Sequence, residues 1–300
     1  MKALFFCTEI ASSPKKKKKE QLVREIEIDD QVAIQKACDL LALPLSEYNF
    51  SNLYLFRKAH NYKLHEIGSD LSVVGTSYDK QTFLMPLFHP KNWKEFFSSA
   101  KKLGADYLFP ISEQWWPEIE QEGLSIMVKE DESDYLYETE AIRMCKGRHL
   151  SNHRNIVRQF LSTYDVSCTR YRPELLKDVL TIIHNWADEK ETPADIDPFI
   201  EGLQCAEKLL IKGWVFYADS QPVGCLFGQP LSKDIYLYHF SKALSHYWGL
   251  AQYMRQRTAE DISFTYLNWE QDLGILGLRQ FKRSYRPIQM LQKGRASLKR

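Results

Sequence analysis

The stretch NWEQDLGILGLRQFKRSY, residues 268–285, decides how this chain is read. An apolar alternation, SFTYLNW (263–269), ends in Asn, Glu and Asp and passes into a helical pattern with Gly274 and Gly277 in its first turns and Arg279, Lys282 and Tyr285 behind them. If the alternation is a strand, Asn268 and Glu270 face one side while Leu267 and Trp269 face the other. The polar pair then sits at the C-terminal end of the strand, where open α/β sheets form their ligand crevices.

Working outward, the elements before this stretch read strand, strand, strand, helix. GWVFYADSQPVGCLFGQPLSKDIYLYHFSKA (213–243) gives three strands broken by DSQP and PLSKD, and HYWGLAQYMRQRTAED (246–261) gives a helix. PIQML (287–291) offers a further strand. The first half shows the same order. Residues 65–88 read as a three-stranded meander, HPKNWKEFFSSAKKLG (89–104) as a helix opened by Pro90 and stopped by Gly104, ADYLFPIS (105–112) as a strand, and PEIEQEG (117–123) as a short helix. Even the acidic, Trp-bearing exit recurs, SEQWWPEIE against NWEQDLG. Helical spacing at 31–43 and a Pro-interrupted stretch with a second helix at 44–60 precede the meander. Identity between the halves is low, so the likeness is one of pattern.

Three hundred residues at 44% apolar fill two ordinary cores. Forty basic and thirty-nine acidic residues leave a formal charge of +1, so binding to nucleic acid or anionic lipid has to come from a local patch. SSPKKKKKE (12–20) is a self-repelling run, expected to be a solvated leader over residues 1–25. The densest basic segment near mid-chain lies in AIRMCKGRHLSNHRNIVRQF, where Lys146, Arg148, Arg154 and Arg158 occur between the acids Glu140 and Asp165. The expected organisation is an N-terminal domain at 26–134, a basic connector helix at 135–165 and a C-terminal domain at 166–300. Six scattered cysteines without a CxxC pair, the short ALFFC run in place of a secretory leader and the lack of any ~20-residue apolar run point to a cytoplasmic protein without a transmembrane segment.

The order of elements resembles the Gcn5-related N-acyltransferase (GNAT) architecture. KGRHLSNHRNIVRQF together with NWEQDLGILGLRQFKRSYRP is similar to a bacterial family related to the C-terminal domain of phosphatidylglycerol lysyltransferase, over residues 46–293. The resemblance implies a mixed α+β protein of two tandem GNAT-like acyltransferase domains, each a mixed, mostly antiparallel sheet flanked by helices. It also implies an aminoacyl group taken from aminoacyl-tRNA. Acetyl-CoA-dependent members of the superfamily place a Q/R-x-x-G-x-G/A loop before the central helix, to hold pyrophosphate on backbone N–H groups. Here LSHYWGLAQYM matches it only at Gly249, which argues against acyl-CoA as donor and for aminoacyl-tRNA or another carrier.

Acyl transfer needs a base, a donor for the oxyanion and an acid for the leaving group. Glu270 is the candidate base, backbone N–H groups near Tyr238 and His239 the oxyanion donors, and Tyr285 the leaving-group acid. The bland alternatives are a salt-bridged Glu270, a sheet-embedded His239 and a core Tyr285 with its hydroxyl at the rim. Asn268, Asp272, Gly274, Tyr238, Lys282 and Arg279 complete a substrate-binding set. In it Asp272 either caps the helix or takes part in the chemistry, and Gly274 and Gly277 leave a bare helix face for a neighbouring backbone or a ligand. Lys282 and Arg279 either form a solvated basic face or hold a phosphate. Lys146, Arg148, Arg154 and Arg158 form a ridge for tRNA phosphates, or brace the connector through nearby acids. The acceptor is expected to be a small-molecule or peptide amine, or a hydroxyl. His149-x-x-x-His153 lacks a third ligand, so no metal is expected, and the hydrolase elbow, Walker loop and dinucleotide fingerprint are missing. The rival class is a non-catalytic protein that binds RNA or peptide in the same cleft, and a third reading is a CoA-dependent N-acetyltransferase with an atypical pyrophosphate loop and acyl-CoA as donor.

Overall fold

The computed structural model describes residues 22–67, 70–190 and 195–298, and most of the expected basic leader lies outside them. The last residues of that leader, Leu22–Glu25, form strand β1. In chain order follow β2 (Lys63–Ile67), β3 (Asp70–Thr76), β4 (Thr82–Pro86), β5 (Tyr107–Ser112), β6 (Leu124–Val128) and β7 (Asp134–Glu138). The second half supplies β8 (Val166–Arg170), β9 (Lys212–Ala218), β10 (Gln221–Pro230), β11 (Ile235–Ala243), β12 (Tyr266–Asn268), β13 (Gln289–Leu291) and β14 (Lys293–Leu298).

These strands make two seven-stranded sheets, ordered β1-β2-β3-β4-β5-β14-β6 and β8-β9-β10-β11-β12-β7-β13. Read side by side, the orders correspond strand for strand, and in each sheet the fourth and fifth strands pair in parallel while their neighbours are antiparallel. The sixth position reveals an exchange. The chain's last strand, β14, inserts between β5 and β6 of the first sheet, and β7 inserts between β12 and β13 of the second. The segment expected to be a helical connector from residue 135 therefore begins as a sheet strand, and helices Thr139–Met144 and Ser151–Thr163 come only after it.

The helices form where the sequence caps them. Asn92 accepts the Glu95 N–H at 2.7 Å to start Trp93–Lys102, and Gly104, at φ +79°, ends that turn as its lack of Cβ allows. Trp93, Phe96, Phe97 and Ala100 give this helix its buried face. The helix expected between residues 44 and 60 is Phe50–Phe56, started by Asn49. Its apolar face closes a core shared by both sheets, where Phe240 meets Phe56 at 6.2 Å and Phe199 at 4.5 Å between ring centroids. A second core, containing Tyr137, Tyr238, Leu267 and Trp269, lies between the second sheet and helices Ser151–Thr163 and Leu250–Glu260. The described cysteines are free thiols, and no described helix is long and apolar enough to cross a membrane.

The exchanged strands meet in a buried polar cluster. Lys293, first residue of β14, donates from Nζ to Asp134, first residue of β7, at 2.6 Å, to Glu47 at 2.7 Å, and to Ser46 Oγ and Gln271 Oε1 at 3.1 Å. Asp134 also accepts the Ser46 N–H and the Asn268 side-chain amide. A buried ammonium is tolerated only when such acceptors replace its hydration. Here they come from both halves of the chain.

Candidate active site

The site begins with a bulge in β11. Phe227 of β10 faces Phe240, but the next residue, Gly228, faces Tyr238, so His239 is the extra residue. Bulges redirect side chains and are frequent beside active sites. On the other edge of β11 the parallel pairing with β12 stops at Leu237 and Asn268, and β11 continues alone to Ala243. Glu270 lies just beyond the end of β12.

Glu270 is held unusually for a side-chain-bearing residue. Its φ is +56°, in the left-handed region that costs energy for any residue with a Cβ. Asn268 Oδ1 accepts its N–H at 2.7 Å, while its carbonyl accepts the Tyr135 N–H at 3.3 Å and a Lys282 Nζ hydrogen at 3.1 Å. The carboxylate meets groups from two parts of the fold. Oε1 accepts a hydrogen from Asn52 of helix Phe50–Phe56 at 3.3 Å and lies 3.2 Å from His239 Nδ1. Both contacts use Oε1, and among the described residues Oε2 has no hydrogen-bond partner. The Glu270 side chain is 16% exposed, so it remains reachable. A carboxylate with one oxygen fixed and the other open can accept a proton from an incoming nucleophile.

Behind this turn Lys282 is not the solvated cation of the sequence reading. It is buried and donates to the carbonyls of Trp269, Glu270 and Gln271 at 2.6, 3.1 and 2.7 Å. Burial pushes its ammonium down to about 7, against the pull of the Glu270 carboxylate. Lys282 thus clamps the backbone that presents Glu270 and offers nothing to a phosphate.

Asp272 does not cap the following helix. It accepts the Gly274 N–H, the Tyr135 hydroxyl at 2.6 Å and a two-pronged contact from Arg279 at 2.8 and 2.9 Å. Burial raises its carboxyl, yet Arg279, Tyr135 and Gly274 together hold it below the usual range. Arg279 is therefore already paired. Gly274 turns at φ +75° before helix Leu276–Ser284 begins, and Gly277 faces open space, so the two do not form one bare helical face.

Tyr285 also departs from its expected place at the rim. It is 4% exposed, stacked on His153 at 4.1 Å, and packed edge-on against Trp269. Burial pushes its hydroxyl far above the ordinary tyrosine range. Tyr238 is buried with its hydroxyl 2.8 Å from Thr258 Oγ1, leaving only its backbone near the splay. Of the ridge cations, Arg154 donates to the Cys145 and Gly147 carbonyls, while Lys146, Arg148 and Arg158 are exposed. None of these last three joins Glu270 by a hydrogen bond or ion pair among the described residues. His153 reaches the Ser284 carbonyl at 3.4 Å instead of forming a ligand pair with His149. Among the described residues no group of three His, Cys, Asp or Glu is placed to hold a metal.

At helices Trp93–Lys102 and Leu250–Glu260 groups at or before the first turn are already engaged internally. Gly249, at φ +95°, precedes helix Leu250–Glu260, and a Cβ there would fall 2.9 Å from the Ile156 carbonyl oxygen. Helix Ser151–Thr163 thus packs tightly against that turn. Nearby, Glu189 accepts the Ser245 N–H with both oxygens, at 2.9 and 3.2 Å. In the first half Glu122 and Asn92 accept the Lys94 and Glu95 N–H groups. Glu113, the first acid after β5, accepts the Gln292 N–H at 3.1 Å.

Sequence reasoning missed Asn52, Lys293, Glu47 and Asp134. Their positions depend on helix Phe50–Phe56 docking across the halves and on the strand exchange, neither of which has a local signal.

This is a mixed α+β fold in which one arrangement, a mostly antiparallel sheet flanked by helices, is present twice. The chain belongs to the family of the phosphatidylglycerol lysyltransferase C-terminal domain, whose model matches residues 39–293. Among solved structures it is similar to a conserved protein of unknown function from Bacteroides thetaiotaomicron, with TM-score 0.84, 22% identity and coverage of 93% of this chain and 100% of that one. A C-terminal domain named for lysylphosphatidylglycerol synthetase, from Agrobacterium fabrum, gives TM-score 0.65 at 11% identity over 89% of this chain and 91% of its own. FemX gives 0.58 at 10% identity over 93% and 97%. At these identities the likeness is one of fold. No curated protein matches the sequence significantly.

Proposed function

We propose that this protein is an aminoacyltransferase, moving an aminoacyl group from aminoacyl-tRNA to an amine or hydroxyl acceptor. The observation that carries this reading is Glu270, fixed in a left-handed turn at the splay of β11 and β12 with one carboxylate oxygen unpartnered among the described residues. The acceptor nitrogen or oxygen attacks the ester carbonyl of the donor, and Glu270 Oε2 takes the acceptor's proton. Backbone N–H groups along the unpaired edge of β11 near His239 face the developing oxyanion. Collapse of the tetrahedral intermediate breaks the bond to the ribose oxygen, and the proton returns from Glu270 to that oxygen. His239 and Asn52 orient the carboxylate, and Lys282 clamps its backbone.

The engaged Lys94 and Glu95 N–H groups of helix Trp93–Lys102 and the crowding of Gly249 by helix Ser151–Thr163 support a donor other than acyl-CoA. The family membership and the FemX-like fold support aminoacyl-tRNA. Lys146, Arg148 and Arg158 supply the exposed charge for the tRNA backbone, and the cytoplasm is where that donor is found.

The test is a transfer assay with charged tRNA and mixed amine and hydroxyl acceptors. Glu270→Gln is expected to lower turnover by about 10²–10⁴-fold, the usual worth of a positioned base, with melting temperature nearly unchanged. A variant that transfers at the wild-type rate sinks the base assignment. Charge reversal at Arg158 is expected to weaken tRNA binding and flatten its salt dependence, and affinity insensitive to moderate salt would remove the ridge from tRNA recognition.

A further inference from the structure

Behind the splay, on the face opposite Glu270, lies a cation without a counterion. Arg255 of helix Leu250–Glu260 is 8% exposed, and burial lowers its pKa. Several other buried or half-buried arginines are paired: Arg57 with Glu201, Arg257 with Asp261, Arg279 with Asp272, Arg295 with Glu132. Among the described residues no carboxylate lies within ion-pair distance of Arg255. Its Nη1 donates to Ser241 Oγ at 2.8 Å, and its Nε–H is buried with no acceptor. The guanidinium carbon lies 4.8 Å from the Trp269 ring and 5.4 Å from that of Tyr238. Aromatic faces attract a cation but do not accept its N–H bonds in its plane.

Two more buried donors on neighbouring side chains, the Trp269 indole N–H and the Tyr285 hydroxyl, lack partners among the described residues. Trp269 and Tyr285 touch edge to face at 5.1 Å, so Arg255 and Tyr285 both pack against the indole whose own N–H is orphaned. Orphaned buried donors are rare because each forfeits its hydration, and a buried unpaired charge is costlier still. An acceptor-only group answers all three, and a guanidinium fork matches carboxylate and phosphate oxygens. β11 and β12 separate beyond Leu237 and Asn268, and Ser241, the hydrogen-bond partner of Arg255, lies on that separated part of β11.

We propose that Arg255 and the Trp269 indole N–H form an oxyanion pocket at the inner end of the splay, which receives a carboxylate or phosphate group of a substrate whose reacting end meets Glu270. The pocket itself stands on the orphaned donors, and only the phrase about the reacting end rests on the acyl-transfer reading.

The experiment follows thermal unfolding of the full chain in inorganic phosphate, in acetate and in chloride at matched ionic strength, for wild type, Arg255→Met, Arg255→Lys and Glu270→Gln. A ligand that binds only the folded state raises the melting temperature with concentration. Wild type and Glu270→Gln are expected to gain several degrees in phosphate or acetate over chloride, and Arg255→Met none. A response to phosphate alone assigns a phosphate-bearing substrate, and one to acetate alone a carboxylic acid. In chloride Arg255→Met is expected to be at least as stable as wild type, because it removes an uncompensated buried charge. Should that variant not fold, Arg255→Lys, which keeps charge without the fork, is expected to show a weakened response. Equal stabilisation by all three salts, or an Arg255 variant that responds as strongly as wild type, overturns the pocket. Loss of the anion response alongside Glu270-dependent transfer refutes the pocket alone. An anion response with transfer indifferent to Glu270→Gln refutes the catalytic reading alone.

Discussion

Glu270 was legible in sequence because an acid at the end of an apolar alternation stands out. What positions it was not, since Asn52 lies 218 residues away in the chain, and the bulge that brings in His239 follows from the β10–β11 register. Lys282 and Asp272 show the limit of reading charges by spacing. Spacing puts Lys282 on a helical face, but whether that face meets solvent or the Trp269–Gln271 carbonyls is settled only by packing. Asp272 gives a test at this scale. Asp272→Ala leaves the fully buried Tyr135 hydroxyl without its acceptor, a loss of about 1–3 kcal/mol. It also frees Arg279 and loosens the turn after Glu270. Denaturant melts are expected to show the destabilisation, with Asp272→Asn recovering part of it. A variant as stable as wild type would show that the Asp272 contacts hold nothing in place.

Among the elements, most strands and helices in the two repeated runs appear where periodicity put them, because alternation and helical spacing are local. The strands that were not anticipated, β1, β6, β8 and β14, are edge or exchanged strands whose burial patterns carry no clean period. β7 hid because its neighbours read as a basic connector. The helix pair Ser151–Thr163 and Leu250–Glu260 yields a sharp contrast between two glycines. Gly249→Ala forces a Cβ against the Ile156 carbonyl in a left-handed conformation and is expected to cost about 1–3 kcal/mol, as overpacking does. Gly277→Ala, in helix Leu276–Ser284 with no atom within 4 Å of the added carbon, is expected to gain up to about 1 kcal/mol. Equal effects at both sites would mean that the connector helix does not press on the turn at Gly249.

On the scale of the whole molecule, the strand exchange couples the halves, and the Lys293 cluster sits where the exchanged strands begin. Glu47 is pushed up to about 7 from an ordinary 4.5 by burial, with Lys293 opposing and Asp134 adding to the rise. One ammonium cannot compensate two carboxylates. Between those two pH values the folded state holds more protons than the unfolded one, so stability falls as pH rises through that window. The slope approaches about 1.4 kcal/mol per pH unit at most. Glu47→Gln is expected to flatten it, and an unchanged pH profile would show that Glu47 is ionised in the fold throughout. The sequence by itself determined the two αβ halves, their order of elements and the acid at the tip of β12, because these follow from period, caps and turns within short windows. Only the tertiary structure decided that the last strand returns to the first sheet, that Asn52 crosses to Glu270, and that Arg255 is buried with no counterion among the described residues. Those outcomes depend on which distant surfaces exclude water together, and no local window of the chain encodes that.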